Sequence, residues 1–372
     1  MRLFISILAI VLASLTQIDS INQYMRNVLR AASNLSRPIG NSSSNVTAMS
    51  NSKPWVGYSV IPSEDASLDA VDPKPRKIQM IFEAIEQAEG AGATVRRSIG
   101  TPKLRNFTPF LMLDHFNVAV GAGFPDHPHR GQETITYLLS GGVDHEDFTG
   151  KKGTLFAGDL QFMTAGRGIV HAEMPHDNGD GSSNIGIQMW VALPQQLQNC
   201  EPRYRDLRAS EIPIATIDDG KVTIKVISGR SHNVDSVQEL AYTPVWLLDV
   251  TISPGGRLVQ PLPAKWNTFA YTLEGTTVWD TGSETKTVGP YHNTVFEQNG
   301  DQVIASVPSS AKESSRFILV SGMPLDQPIM QYGPFVSSNP AQIRQAMLDY
   351  STFSNGFERA EGWQSEIGRS MM

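Results

Sequence analysis

The sequence predicts an all-β protein built as two antiparallel sandwich or small-barrel domains of similar plan. Three observations carry that expectation. The chain of 372 residues holds 31 glycines and 23 prolines, which favours many short strands and turns over a helical bundle. From about Met80 onward, short apolar runs alternate with clusters of Gly, Pro, Asp and Asn. Sequence words also recur. Tyr137-Leu138-Leu139-Ser140-Gly141 is echoed by Tyr271-Thr272-Leu273-Glu274-Gly275, and Gly158-Asp159 by Gly300-Asp301.

The first element is a leader. Arg2 precedes an apolar run at 3–15 broken only by serine, too short for a membrane span but suited to a signal peptide, with Ala13 and Ser14 near a cleavage point. We therefore expect a hydrophobic leader over 1–20. A disordered polar linker is expected over 21–78, since 22–62 is rich in Ser and Asn and carries Arg26, Arg30 and Arg37 without an acid. Alternative readings are a transit-like region or a start placed too far upstream. Asn34-Leu35-Ser36, Asn41-Ser42-Ser43 and Asn45-Val46-Thr47 are sequons that matter only in a secretory compartment.

Strands are expected at 110–113, 134–139, 186–191, 222–227 and 245–252. The 134–139 run begins as an alternation and ends buried, as a barrel strand with one wet face would. Ser338-Asn339-Pro340 caps a helix with Ile343, Ala346, Met347 and Tyr350 on one face. The repeat divides the folded part into a first domain at 79–215 and a second at 216–372. A net charge of −7, with no long basic run, argues against direct nucleic-acid binding. Cys200 is the only cysteine, so there is no intramolecular disulfide, and it is expected to be a small buried hydrophobe.

Chemistry concentrates in two pairs, His127-Pro128-His129 and His171-Ala172-Glu173. On a strand, residues i and i+2 share a face, so each pair offers two donors side by side. Two such strands facing each other close a site of three nitrogens and one oxygen, which suits Fe(II), Mn, Ni, Cu or Zn and leaves positions for water, O₂ or substrate. Weaker candidates surround them. Glu133, four residues past His129, is read as contacting the metal, holding a ligand histidine, or pairing with Arg130 or Arg167. His145-Glu146-Asp147 is read as a solvated loop, and His115 and His176 as hydrogen-bonded structural histidines. Gly166-Arg167-Gly168 is read as a tight turn. Phe124, Phe148, Phe162, Met163 and Trp190 are core residues by default and pocket walls as the alternative.

Longer stretches resemble the pirin family, a branch of the cupin superfamily. They are 124–131 (Phe-Pro-Asp-His-Pro-His-Arg-Gly), 158–175 (from Gly158-Asp159 through His171-Ala172-Glu173-Met174-Pro175), 95–100, 110–114, 333–335 and 355–360. The resemblance covers roughly 80–368 and not the leader. The general cupin first motif is met from Gly121 through His127 and His129 to Glu133. Gln161 stands where many cupins place a histidine, and pirins resemble this chain in supplying the remaining ligands at the positions of His171 and Glu173.

The resemblance implies a bicupin: two cupin-type antiparallel β-barrel (jelly-roll) domains with short helices. One divalent metal, iron(II) above others, would sit in the first barrel on His127, His129, His171 and Glu173. Aligning Tyr271 with Tyr137 sets Pro261 and Pro263 opposite His127 and His129, and no histidine follows Gly300-Asp301, so the second barrel is expected to be empty of metal. One implied function is a quercetin 2,3-dioxygenase-type oxidoreductase. A flavonol-like aromatic substrate and O₂ would meet at the metal, with Glu173 taking the 3-hydroxyl proton and the ring opening with loss of carbon monoxide. The alternative is a redox-sensitive, iron-binding transcriptional co-regulator that contacts a transcription-factor protein; sugar isomerisation is a distant third. The chain is expected to be monomeric, with no membrane role for the folded part. Its compartment is read either from the leader as a targeting signal or as cytoplasm and nucleus, as in pirins.

Overall fold

Along the strand Gln132–Ser140, Ile135 and Tyr137 join a large apolar core, while Gln132 and Thr136 on the other face reach polar partners across a barrel interior. Because side chains alternate on a strand, one short segment serves two cores at once. The computed structural model describes residues 72–237 and 240–369. The expected leader, and the linker through residue 71, lie outside the described residues. No helix among the described residues is long and apolar enough to cross a membrane.

Two sheet pairs repeat the same order. In the first half, a seven-stranded sheet runs Arg203–Leu207, Leu160–Thr164, Gln132–Ser140, Asn184–Ala192, Phe110–Val118, Ala93–Ile99, Glu86–Glu89. A four-stranded sheet, Phe124–His129, Ile169–Pro175, Gly142–Asp147, Lys152–Phe156, closes the barrel. In the second half the large sheet runs Ile78–Glu83, His292–Phe296, Asn267–Glu274, Ser315–Gly322, Val245–Ile252, Val222–Ser228, Ile214–Ile217. Its small partner is Arg257–Pro261, Gln302–Ser306, Thr277–Asp280, Thr285–Val288. The expected all-β, two-barrel plan is what the chain adopts. The two large sheets pack on each other through a shared core that includes Ile135, Tyr137, Phe162, Ile187, Phe269, Tyr271 and Ile318. At its edge the Tyr137 hydroxyl of the first half donates to Asp249 of the second (2.7 Å), which Arg316 also grips through Nε (3.0 Å) and Nη2 (2.8 Å).

Several expected boundaries move. Strand Ile78–Glu83 precedes the first barrel in sequence but pairs with His292–Phe296 of the second, so 79 is not the start of the first domain. The division at 215/216 falls within the strand Ile214–Ile217. Residues 335–360 pack on Phe148, Met163, Ile169 and Val170 of the first barrel, although 216–372 is expected to be the second. The segment before the first barrel and the segment after the second thus cross over. The second barrel's outer edge is covered by a strand from the chain's beginning, as exposed edges require. The linker also ends earlier than 78. Arg76 is 1% exposed, and its guanidinium donates to the carbonyls of Trp266 (2.6 Å), Pro263 (2.7 Å) and Gly300 (3.2 Å) and to the Thr268 hydroxyl (2.9 Å). Burial pulls its pKa down to about 10, against the pull of Asp301.

The repeat echo also shifts by one hairpin. Gly158-Asp159 precedes Leu160–Thr164, whose counterpart is His292–Phe296, so residues 289–291 occupy the matching turn. Gly300-Asp301 instead corresponds to the turn at 166–168. The helix Pro340–Ser351 forms as expected, with the Asn339 side chain accepting from the Ala341 amide and proline at its first turn.

Two outcomes follow for stability. Arg76→Ala strands several buried carbonyls, and we expect a loss of about 2–4 kcal/mol, read as a lower urea midpoint. Burial alone would raise Asp249, but Arg316, Tyr137 and Lys225 outweigh it and hold the carboxyl below its ordinary value. A depressed folded pKa contributes stability above the unfolded value, about 4, and that contribution fades as pH falls through the folded value. Asp249→Asn should therefore shift the midpoint more near neutrality than at acid pH below the lowered folded value.

Candidate metal centre

The strand Phe124–His129 lies at the edge of the small sheet, the position where a strand tolerates Pro125 and Pro128 without losing ladder hydrogen bonds. It pairs antiparallel with Ile169–Pro175, and His171 stands directly opposite His127. Between His171 and Glu173 the register shifts by a bulge on the His127 strand, a device that re-aims side chains at sites. The result is a cluster in which one nitrogen from each of His127, His129 and His171 lies within 4.8 Å of the others. It is the one such grouping of His, Cys, Asp or Glu among the described residues. Ring centroids are 4.4 Å apart for His127 and His171, 4.9 Å for His127 and His129, and 5.1 Å for His129 and His171.

The rings are set for coordination. His127 Nδ1–H donates to the Pro125 carbonyl at 2.9 Å, which leaves Nε2 its lone pair. His129 Nδ1 meets the Gln132 side-chain amide at 2.7 Å, while Gln132 Oε1 has no partner among the described residues. Turning that amide over lets Oε1 accept from Nδ1–H and frees Nε2 of His129 in the same way. Nε2 of His129 and both nitrogens of His171 are buried without a hydrogen-bond partner. Buried polar atoms are rarely left so, and a cation at the cluster would engage them. Burial pushes His129 and His171 well below the ordinary histidine pKa, with neighbouring imidazoles adding to it; burial lowers His127 too, against Pro125 and Asp126. The rings are neutral at physiological pH, the form that binds metal.

Glu173 stands beside this cluster and outside the mutual 4.8 Å set. Its Oε2 is 4.0 Å from His171 Nε2. Its carboxyl is held by Thr136 Oγ1 (3.0 Å to Oε1) and by Gln188 Nε2 (3.0 Å to Oε2), and Thr136 Oγ1 is also 2.7 Å from Gln188 Oε1. A hydroxyl has one proton for these two acceptors. All three contacts are satisfied together when Glu173 is protonated and donates to Thr136, while Thr136 donates to Gln188. Burial raises this carboxyl to about 7, against the pull of Thr136 and Gln188.

The other expected residues divide. Glu133 touches neither metal ligand nor Arg130 nor Arg167. It accepts from the Tyr242 and Thr243 amides and the Thr164 hydroxyl. Counting four residues from His129 fails because Arg130-Gly131 ends one strand, and the next begins in a different sheet. His145-Glu146-Asp147 is no solvated loop but part of the buried strand Gly142–Asp147, with His145 opposite Glu173 and Asp147 opposite His171. Six residues between turn glycines are enough for a hairpin arm. His115 lies near the Tyr271 hydroxyl (3.3 Å) and His176 near Asp144 (3.0 Å), as structural histidines. Gly166-Arg167-Gly168 is the tight turn expected. Phe124, Phe148, Phe162 and Met163 serve the apolar clusters, whereas Trp190 sets its ring edge to face with His129 at 5.1 Å. Cys200 is half-buried, its thiol pushed up to about 11 by burial.

Sequence reasoning passed over Gln132, Thr136 and Gln188. The signal available was a polar residue flanked by apolar ones: Gln188 between Ile187 and Met189, and Thr136 between Ile135 and Tyr137.

The second barrel's interior is mainly apolar. In its matching strand pair, the inward-facing residues are Leu258 opposite Ala305 and Gln260 opposite Val303. None of these inward positions holds a histidine or a carboxylate, and they differ from Pro261 and Pro263, which the sequence alignment sets opposite His127 and His129. The five-residue turn 262–266, against two residues at 130–131, displaces the alignment. Trp246, Trp266, Trp279, Phe296 and Phe317 fill the space.

Comparison with known proteins matches the Pirin family model to residues 92–191 and the Pirin C-terminal cupin domain model to residues 247–356. A pirin-like protein of Solanum lycopersicum is 45% identical over 300 residues, covering 81% of this chain and all of that one. Homo sapiens pirin is 43% identical over 294 residues, covering 79% and 98%. A solved structure of quercetin 2,3-dioxygenase from Acinetobacter baumannii superposes with a TM-score of 0.68 at 26% identity, covering 75% of this chain and 98% of that one.

Metal-stripped protein should take up about one equivalent of a divalent transition metal, and His129→Ala should weaken uptake by about 100-fold or more, measured by competition with a chromophoric chelator.

Proposed function

The chain belongs to the pirin family, and from that premise we propose that it is a metal-dependent oxidoreductase of the quercetin 2,3-dioxygenase type, acting on flavonol-like aromatic substrates with O₂. The observation that carries this reading is the convergence of three neutral imidazoles, two buried and one half-buried, beside a carboxyl poised to exchange a proton. Likeness to the Acinetobacter baumannii enzyme over 98% of that chain supports it. His127, His129 and His171 would hold one divalent metal, iron(II) by family resemblance, with Glu173 as the neighbouring fourth group. When bound, the metal supplies Lewis acidity toward adjacent substrate oxygens and redox access to O₂.

The remaining work falls to the protein's own groups. With its pKa pushed up to about 7, Glu173 is also populated as the carboxylate near neutrality, and it is in that form that it accepts the proton of the flavonol 3-hydroxyl. Thr136 and Gln188 fix both oxygens of that carboxyl, so that the proton has one destination. Trp190 offers a flat aromatic wall next to His129 against which a planar ring system can lie. Burial of His129, His171 and Glu173, each under 10% exposed, keeps bulk water from the reacting groups. In the overall reaction both atoms of O₂ enter the flavonol, its central ring opens, and carbon monoxide leaves.

The test is turnover of quercetin by metal-loaded protein with and without O₂. Bleaching that requires O₂, disappears in His129→Ala and falls roughly 10²–10⁴-fold in Glu173→Gln is the expected result. Equal bleaching by wild type and His129→Ala would remove the proposal.

A further inference from the structure

The small sheet of the first barrel carries the metal ligands on its inner face, and its outer face is held by the end of the chain. Period-two alternation that turns His127 and His129 inward turns Asp126 and Arg130 outward. Both of these outward neighbours are gripped by residues 330–369, which follow the second barrel. Arg130 is 8% exposed. Its guanidinium donates to Asp349 Oδ2 (2.6 Å), the Asn355 carbonyl (2.5 Å) and the Arg167 carbonyl (2.5 Å), and lies 4.6 Å over the Phe357 ring. Its backbone pairs on both sides as well. The Arg130 amide donates to Pro334 O (3.3 Å), and the Val336 amide donates to Arg130 O (3.0 Å). Gly131 makes that approach possible, since a Cβ there would sit 2.0 Å from the Val336 carbonyl oxygen.

At the other end of the strand, Asp126 Oδ2 accepts from the Ser365 amide (3.1 Å). On the strand beyond Ile169–Pro175, outward Glu146 accepts from the amides of Glu366 (2.9 Å) and Ile367 (3.4 Å). Between these clamps, Val170 packs beneath Phe335, Ile343 and Phe357. Asp349 is itself fixed through Oδ1 by Gln345 (2.7 Å) and Asn355 (2.8 Å), so Arg130 has a rigid counter-ion.

We infer that this C-terminal strap is the positioning element of the metal centre, with Arg130 and Asp349 as positioning residues that set the spacing of His127 and His129 from outside the barrel. The inference rests on the metal-centre reading proposed above. An edge strand with two prolines has few ladder bonds of its own to define its path. The strap supplies the missing constraints, and ligand geometry at a metal depends on such outer contacts.

The test uses the full chain, stripped of metal, with cobalt(II) as the probe. Asp349→Asn keeps the shape of the side chain and removes the charge that Arg130 faces. We expect cobalt(II) affinity to fall roughly tenfold. The visible ligand-field spectrum at saturating cobalt(II) should also shift, a change that loss of stability alone does not produce. In the metal-free protein, hydrogen exchange should quicken at 124–131 and 142–147 while 245–322 stays as in wild type. Glu146→Ala, which unhooks the far end of the strap, should show the same pattern and serves where Asp349→Asn does not fold. A folded variant with wild-type affinity, spectrum and exchange overturns the inference, as does exchange that quickens equally everywhere. If wild type takes up no cobalt(II), the metal-centre reading fails, and the exchange pattern alone decides whether the strap holds the His127 strand.

Discussion

The pairing of Phe124–His129 with Ile169–Pro175 is the constraint on which the rest of the site depends. With His171 opposite His127, the histidines of both strands point into one barrel. A slip of one residue in the edge strand would turn His127 and His129 to the outer face and bring Asp126, Pro128 and Arg130 inside. Register at an edge strand is weakly specified by its own hydrogen bonds. Here it is specified from both faces: the inner by imidazoles and Gln132, the outer by Asp349, Ser365 and Val336.

Two barrels with the same strand order have opposite interiors, and the contrast explains why one of them is suited to chemistry. In the second, three tryptophans and two phenylalanines dominate the core, and its inward Gln260 is paired with Ser231. In the first, Gln132, Thr136, Gln188 and Glu173 join the histidines in a network of hydrogen bonds. Such a network is costly unless satisfied, and its unsatisfied remainder is concentrated on the histidine nitrogens. Stability of the polar barrel is borrowed from its surroundings. The shared core behind it, the Tyr137–Asp249–Arg316 cluster and the strap in front all lie outside the site.

Much of this was legible in the sequence, for reasons that differ by residue. His127, His129 and His171 were readable because the spacing i, i+2 translates directly into a shared face on any strand. Glu173 was read from its spacing as the fourth ligand, and it stands beside the three histidines, but its engagement by Thr136 and Gln188 was not legible, since those partners lie 37 and 15 residues away in the chain. Glu133 was misread because counting along the chain assumes one continuous strand, and the positive-φ Gly131 breaks it. His145-Glu146-Asp147 was misread because polar residues between glycines look solvated, whereas His145 and Asp147 lie opposite Glu173 and His171 on the inner face and Glu146 is covered by residues 366–367 on the outer.

By itself the sequence determined the all-β class, the duplicated plan and the three histidines, because strand periodicity and local spacing act over a few residues; the family was legible only through the resemblance of longer motifs. Tertiary structure alone decided how the ends of the chain are used. Strand Ile78–Glu83 completes the second barrel and residues 330–369 brace the first, so each barrel depends on a segment far from it in sequence. Those pairings are chosen by which buried faces and exposed edges remain uncovered once both barrels have formed. That is a property of the assembled surfaces, and no local pattern encodes it.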